Sequence, residues 1–91
     1  MKRKEVKKLS PLSVKELSSI SRLCSTFGII RKGMPNNNGT FSHVKLTSDK
    51  PFKRDEINSI INWFKIDYNE TLIFQSNKIG EFFVGTLSKL A

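Results

Sequence analysis

Residues 12–28 read LSVKELSSISRLCSTFG, and this stretch decides the fold. Ser13 and Glu16 stand at the S-x-x-E spacing of a capping box, in which each side chain satisfies an amide left unpaired at a helix start. Leu12, just outside, is placed to pack on Leu17 as a hydrophobic staple. Val14, Leu17, Ile20, Ser21, Cys24 and Phe27 recur on one face at helical spacing, with Leu23 at its margin. Lys15, Ser18, Ser19, Arg22 and Ser25 fall on the other face, and Gly28 supplies the left-handed position at which helices end. The spacing predicts an amphipathic helix over 13–27.

Downstream, Ile29-Ile30-Arg31-Lys32 is β-compatible and runs into the turn-rich GMPNNNG of 33–39, where Asn38-Gly39 is a strong reversal signal. Residues 40–47 alternate: Val44 and Leu46 share a face with Thr40 and Ser42, while Phe41, His43, Lys45 and Thr47 share the other. Together 29–32 and 40–47 predict a hairpin with a long flexible tip. Pro51 then precedes a second helix over 53–66. Phe52 is placed to staple onto Ile57, and Asp55 and Glu56 complement the positive end of the helix dipole. Ile57, Ile60, Ile61 and Phe64 form its apolar stripe, with Trp63 beside it. Residues 71–76 and 81–87, joined by Asn77-Lys78-Ile79-Gly80, predict a second hairpin.

The order is thus helix, strand, strand, twice over. Glu16-Leu17-Ser18-Ser19-Ile20 faces Glu56-Ile57-Asn58-Ser59-Ile60 at an offset of 40, and Asn38-Gly39-Thr40-Phe41 answers Ile79-Gly80-Glu81-Phe82 at nearly the same offset. Such self-similarity is a weak repeat signal. The expected architecture is α+β: two helix–hairpin units giving one four-stranded antiparallel sheet with two helices packed on it. This layout resembles the double-wing DNA-binding domain of a phage transcription factor. The likeness is one of topology, spans most of the chain and rests on no shared motif; as fold analogy it assigns no function.

Ninety-one residues make one domain, expected as a flexible basic arm over 1–10 and a folded unit over 11–91. A chain of this size buries roughly 64% of its unfolded surface, enough for one modest core and too little for a deep substrate cavity. The single cysteine, Cys24, excludes an internal disulfide, and with the single histidine, His43, it is too few for a Cys/His zinc site. Cys24 lies on the apolar helix face and is expected to be an inert core thiol. No run of about 18 apolar residues is present to span a membrane, and MKRKEVKKL lacks the apolar stretch of a signal peptide. Ser88-Lys89-Leu90 is followed by Ala91, so it does not read as a peroxisomal address. The sequons at Asn38 and Asn69 carry no weight without secretion. A small, basic, cytoplasmic protein with no membrane partner is expected.

Charge is distributed unevenly. Of the net +8, +7 falls in the first 32 residues, where Lys2, Arg3, Lys4, Lys7, Lys8, Lys15, Arg22, Arg31 and Lys32 outnumber Glu5 and Glu16. That asymmetry points to a polyanionic partner at one end of the molecule. The tail Lys2-Arg3-Lys4 with Lys7 and Lys8 has the composition of a phosphate-neutralising arm. Arg31 and Lys32 are expected to flank the first hairpin's tip, with Asn36, Asn37 and Asn38 crowning it. Phe41, His43 and Lys45 are expected as an outward ladder for stacking on a base or lining a groove. No P-loop, dinucleotide-binding, zincin or nucleophile-elbow pattern occurs, and His43 has no Asp or Glu beside it in sequence, so neither catalysis nor a cofactor is expected.

A second class of function starts from the C-terminal hairpin. Leu72, Phe74 and Phe83 share one face, and Ile73, Phe82 and Val84 the other. Helices on one side only would leave the second trio in water, and apolar patches of that kind mark interfaces. The leading expectation is a non-enzymatic DNA- or RNA-binding regulator, DNA ahead of RNA, self-associating as a homodimer through Ile73, Phe82 and Val84. The alternative is an inhibitor or adaptor that docks on a host enzyme. The Lys/Asn/Ile/Ser-rich composition suggests a phage or other mobile element as the source.

Overall fold

The computed structural model describes residues 8–91. Seven elements follow one another: β1 (Leu9–Ser10), α1 (Val14–Thr26), β2 (Ile30–Pro35), β3 (Phe41–Ser48), α2 (Arg54–Tyr68), β4 (Leu72–Ile79) and β5 (Phe82–Leu90). The α+β class and the repeated helix–hairpin order hold, but the sheet has five strands where four were expected. The added strand is β1, whose Leu9 and Ser10 pair with Leu90 and Lys89. Those two residues fall within the expected arm because a two-residue strand has no periodicity to read.

The four long strands lie in the order β2-β3-β5-β4, each antiparallel to its neighbours. The two hairpins therefore meet along β3 and β5, and β2 and β4 form the edges. Beyond the last β3–β5 pair, Val44–Leu87, β1 takes over pairing with β5, and Leu12 exchanges backbone hydrogen bonds with Phe41 at 2.7 and 2.8 Å.

The capping box forms as predicted: Ser13 donates its N–H to Glu16 Oε1 at 2.8 Å and Glu16 donates its N–H to Ser13 Oγ at 3.1 Å. α2 runs two residues past its predicted end, to Tyr68, and stops at Asn69, which adopts φ 56° and donates to the Lys65 carbonyl at 2.8 Å. An asparagine tolerates this left-handed cap without glycine. Tyr68 ties the two helices together through a 2.7 Å hydrogen bond to Ser19 Oγ, and its ring packs on Phe64 at 4.8 Å.

Both helices pack on the same face of the sheet. Ile20 and Cys24 of α1 and Ile57, Ile60 and Phe64 of α2 are buried with Val44, Leu46, Leu72 and Leu87. Two glycines leave room for large side chains above the sheet. A Cβ on Gly33 would sit 2.8 Å from a Leu17 methyl, and one on Gly85 would sit 2.6 Å from Phe74 Cε1 and 3.2 Å from Phe52. The Phe74 ring thus lies across bare backbone in the middle of the sheet, edge-on to Phe52 with centroids 5.4 Å apart. No helix among the described residues is long and apolar enough to cross a membrane.

Candidate nucleic-acid interface

Antiparallel partners share a face, so the register fixes what the sheet presents on the side away from the helices. Its middle row runs Lys32, Lys45, Thr86, Gln75 from β2 to β4. One neighbouring row is Ile30, Thr47, Val84, Asn77; on the other side Met34 stands opposite His43, and Ser88 opposite Ile73. Lys32, Lys45, Gln75 and Asn77 are exposed. No carboxylate occupies any position of this face on the four long strands. Lys32 and Lys45 are directly opposite, which holds two like charges with their Cβ atoms about 5 Å apart, an arrangement that repels.

The expected ladder of Phe41, His43 and Lys45 is broken at its first rung. Met34 pairs with His43 but Pro35 pairs with Phe41, so Ser42 is an extra residue in β3. This bulge reverses the alternation for everything before it. Phe41 is consequently turned to the helix side, half-buried against the core and over Gly33. Ser42 Oγ donates to the Met34 carbonyl at 3.3 Å and sits 2.9 Å from His43 Nδ1. That contact engages Nδ1 of the imidazole ring. His43 also lines a shallow bay of about 270 Å³ with Leu9, Pro11 and Asn36.

Arg31 does not join Lys32. Consecutive residues of a strand point to opposite faces, and Arg31, paired with Leu46, is exposed on the helix side of the edge strand. Both lie within β2 and away from the tip they were expected to flank. The tip is a built loop: Asn36 donates its N–H to the Thr40 carbonyl at 2.8 Å and Nδ2 to Thr40 Oγ1 at 3.0 Å, while Asn38 Oδ1 accepts from Thr40 Oγ1 at 2.6 Å. Asn36 and Asn38 thus spend their amides on the loop, and Asn37 is exposed between them. Lys8 is exposed and its carbonyl accepts from Ala91 N–H at 3.0 Å; Lys2, Arg3, Lys4 and Lys7 lie outside the described residues.

The apolar trio is on the open face but is not contiguous. Phe82 and Val84 sit together near one end of β5, whereas Ile73 stands beyond the Thr86–Gln75 row. Phe82 has other company: Ile79 pairs with it, and the two are 55% and 62% exposed. Ile30, 68% exposed, stands across Thr47 from Val84. Sequence reasoning missed Gln75, Asn77 and Thr86 as members of the basic face, because their position depends on the register between hairpins. The alternation within 72–90 carries half of that signal and the β3–β5 pairing the other half.

Two further ionisable groups belong to the scaffold. Glu16 accepts from Lys89 Nζ with both carboxylate oxygens at 3.0 Å, in a pair whose side chains are each 12% exposed. Burial alone would raise the Glu16 pKa, but the Ser13 amide and the Lys89 ammonium together hold it below the usual glutamate value. Burial pushes the Cys24 thiol up to about 11, against a smaller opposing pull from Arg31. Comparison of the sequence with protein-family models and with curated proteins finds no match.

Proposed function

We propose that this protein binds nucleic acid, duplex DNA ahead of RNA, through the open face of its sheet, and that it acts as a non-enzymatic regulator. The observation that carries the reading is the pair Lys32 and Lys45, cross-strand neighbours on a face whose four long strands hold no carboxylate. A phosphate between them converts their repulsion into two charge-assisted hydrogen bonds. Duplex is favoured over single strands by what surrounds the pair. Single-strand and RNA readers stack bases on aromatic platforms, whereas the middle row is Lys, Lys, Thr and Gln. Those side chains suit phosphates and groove edges.

The test is a titration against duplex DNA, single strands and RNA at several salt concentrations, with wild type and a Lys32→Ala/Lys45→Ala variant. The variant should bind every sequence more weakly, and the log–log salt slope on duplex should fall by about 0.9 for each phosphate no longer neutralised. Equal affinity and equal slope in the two proteins refute the reading. A second reading, docking on a foreign protein, is favoured by the apolar end formed by Ile30, Ile79 and Phe82, each more than half exposed. It takes the lead if wild type binds no nucleic acid in any arm of the titration.

A further inference from the structure

We propose that two copies of this chain join edge to edge through β4, antiparallel, about a two-fold axis at Ser76. Leu90 donates its N–H to the Thr71 carbonyl at 2.8 Å, and β4 pairs with β5 without a register shift from Leu72–Lys89 to Ile79–Phe82. Residues of an antiparallel strand alternately direct both backbone groups at the partner and both away from it. The odd-numbered residues of β4 therefore serve β5, and Leu72, Phe74, Ser76 and Lys78 turn N–H and C=O outwards. Among the described residues no strand pairs with that side. Gln75 through Ile79 are all exposed.

The two edges of the sheet are treated differently. β2 carries Pro35, which has no N–H, beside the register shift at Met34, and its middle holds Arg31 and Lys32. These are devices that block edge pairing. β4 has eight residues with no proline, glycine or bulge and a single charge. An edge of that kind is a template for another strand.

Self-complementarity selects a second copy as the occupant. With the axis at Ser76, the outward-directed residues meet as bonded pairs and the open-face residues match. Ile73 meets Ile79 of the partner subunit, and Gln75 meets Asn77 of the partner subunit. On the other face Phe74 meets Lys78 of the partner subunit, the same cation–aromatic match that Lys78 makes with Phe83 at 5.7 Å within the chain. Moving the axis to Gln75 would set Ile73 against asparagine and Leu72 against lysine; moving it to Asn77 would set Ile79 against glutamine. The axis is perpendicular to the sheet, so both open faces look the same way. Their Lys45 residues lie on β3 strands about 24 Å apart, five strand spacings before twist is counted, with Lys32 one strand farther out on each side.

Sedimentation of the full chain without nucleic acid, up to hundreds of micromolar, tests this independently of the nucleic-acid reading. Wild type should be a dimer. Ser76→Pro should be a monomer with an unchanged circular dichroism spectrum, because the N–H it removes points away from β5. Ile79→Lys, which changes no backbone donor, should weaken the dimer about tenfold through its two apolar pairs. It decides the matter should the proline variant fail to fold. Oxidised Ser76→Cys should give a disulfide-linked dimer, since bonded pairs hold Cα atoms about 5.5 Å apart, within disulfide range, whereas Gln75→Cys should not. A monomeric wild type, or a dimer that survives both Ser76→Pro and Ile79→Lys, overturns the proposal. Cross-linking through position 75 in place of 76 overturns the register.

Discussion

Lys89, 73 residues away in sequence, neutralises the Glu16 carboxylate that closes the capping box of the first helix. Because the folded pKa of Glu16 lies below its unfolded value, the carboxylate contributes stability at pH values above the ordinary glutamate range. That contribution is lost as pH falls through that range toward the folded value. Thermal melts of wild type and Glu16→Gln should therefore differ at neutral pH and converge in acid; a constant difference would remove the linkage. Cys24 makes a simpler case. With its thiol pushed up to about 11 and its side chain fully buried, it should resist alkylation at neutral pH in the native protein and react once denaturant unfolds the chain. Labelling as fast as a free thiol before unfolding would show that α1 opens. Lys45→Ala, at an exposed position beside a like charge, should leave stability within about 0.5 kcal/mol of wild type. Val44→Ala, one residue away on the buried face, should cost about 2 kcal/mol. Chemical denaturation of the two variants checks the assignment of faces.

At the scale of elements, the β-bulge at Ser42 decides more than any single side chain. Strict alternation through 40–47 places Phe41 beside His43 and Lys45, and one extra residue moves it to the core. Bulges leave no signature in a single strand, since they are defined by the count of residues on the partner. Phe41→Ala should thus destabilise the fold, by about 2 kcal/mol for a half-buried ring, and leave nucleic-acid affinity unchanged in the folded fraction. Lost affinity at unchanged stability would return Phe41 to the binding face. Gly85 makes a matching prediction on β5. Gly85→Ala drives a methyl into the Phe74 ring, and overpacking of this kind should cost about 1–3 kcal/mol by chemical denaturation. The helices, by contrast, were legible almost residue by residue. Capping box, stripe and stop signal are local chemistry; what escaped them is the two-residue extension of α2 to its asparagine cap, Val14, which is 60% exposed at the start of the expected stripe, and Ser19, which leaves the expected outer face to bond Tyr68.

For the whole molecule, the decisive quantity is where the charge lies. On its four long strands the open face carries Lys32, Lys45 and His43 and no carboxylate, and the sequence continues N-terminally from Lys8 into Lys2, Arg3, Lys4 and Lys7. Removing residues 1–7 should weaken binding to all sequences alike and lower the salt slope by about 0.9 for each duplex phosphate that the arm neutralises. An unchanged slope would assign the arm to solubility. If the β4 edge joins two copies, two basic rows and two arms act on one ligand, and the loss of affinity on dilution into monomer should exceed that of the Lys32→Ala/Lys45→Ala variant. Affinity independent of the oligomeric state would separate the two surfaces.

By itself the sequence determined the α+β class, the two helix–hairpin units and which face of each helix is buried, because caps, turns and periodicity act within a dozen residues. It also determined that Ile73, Phe82 and Val84 share a sheet face and that positive charge is concentrated toward the N-terminal end. Tertiary structure decided the rest. Leu9–Ser10 became a strand because β5 extends beyond β3, leaving Lys89 and Leu90 to be paired. Gln75 and Thr86 were brought into line with Lys45 by a register between hairpins some 40 residues apart. Pairing across that distance is set by how the two apolar helix faces share one core. No local stretch contains that information.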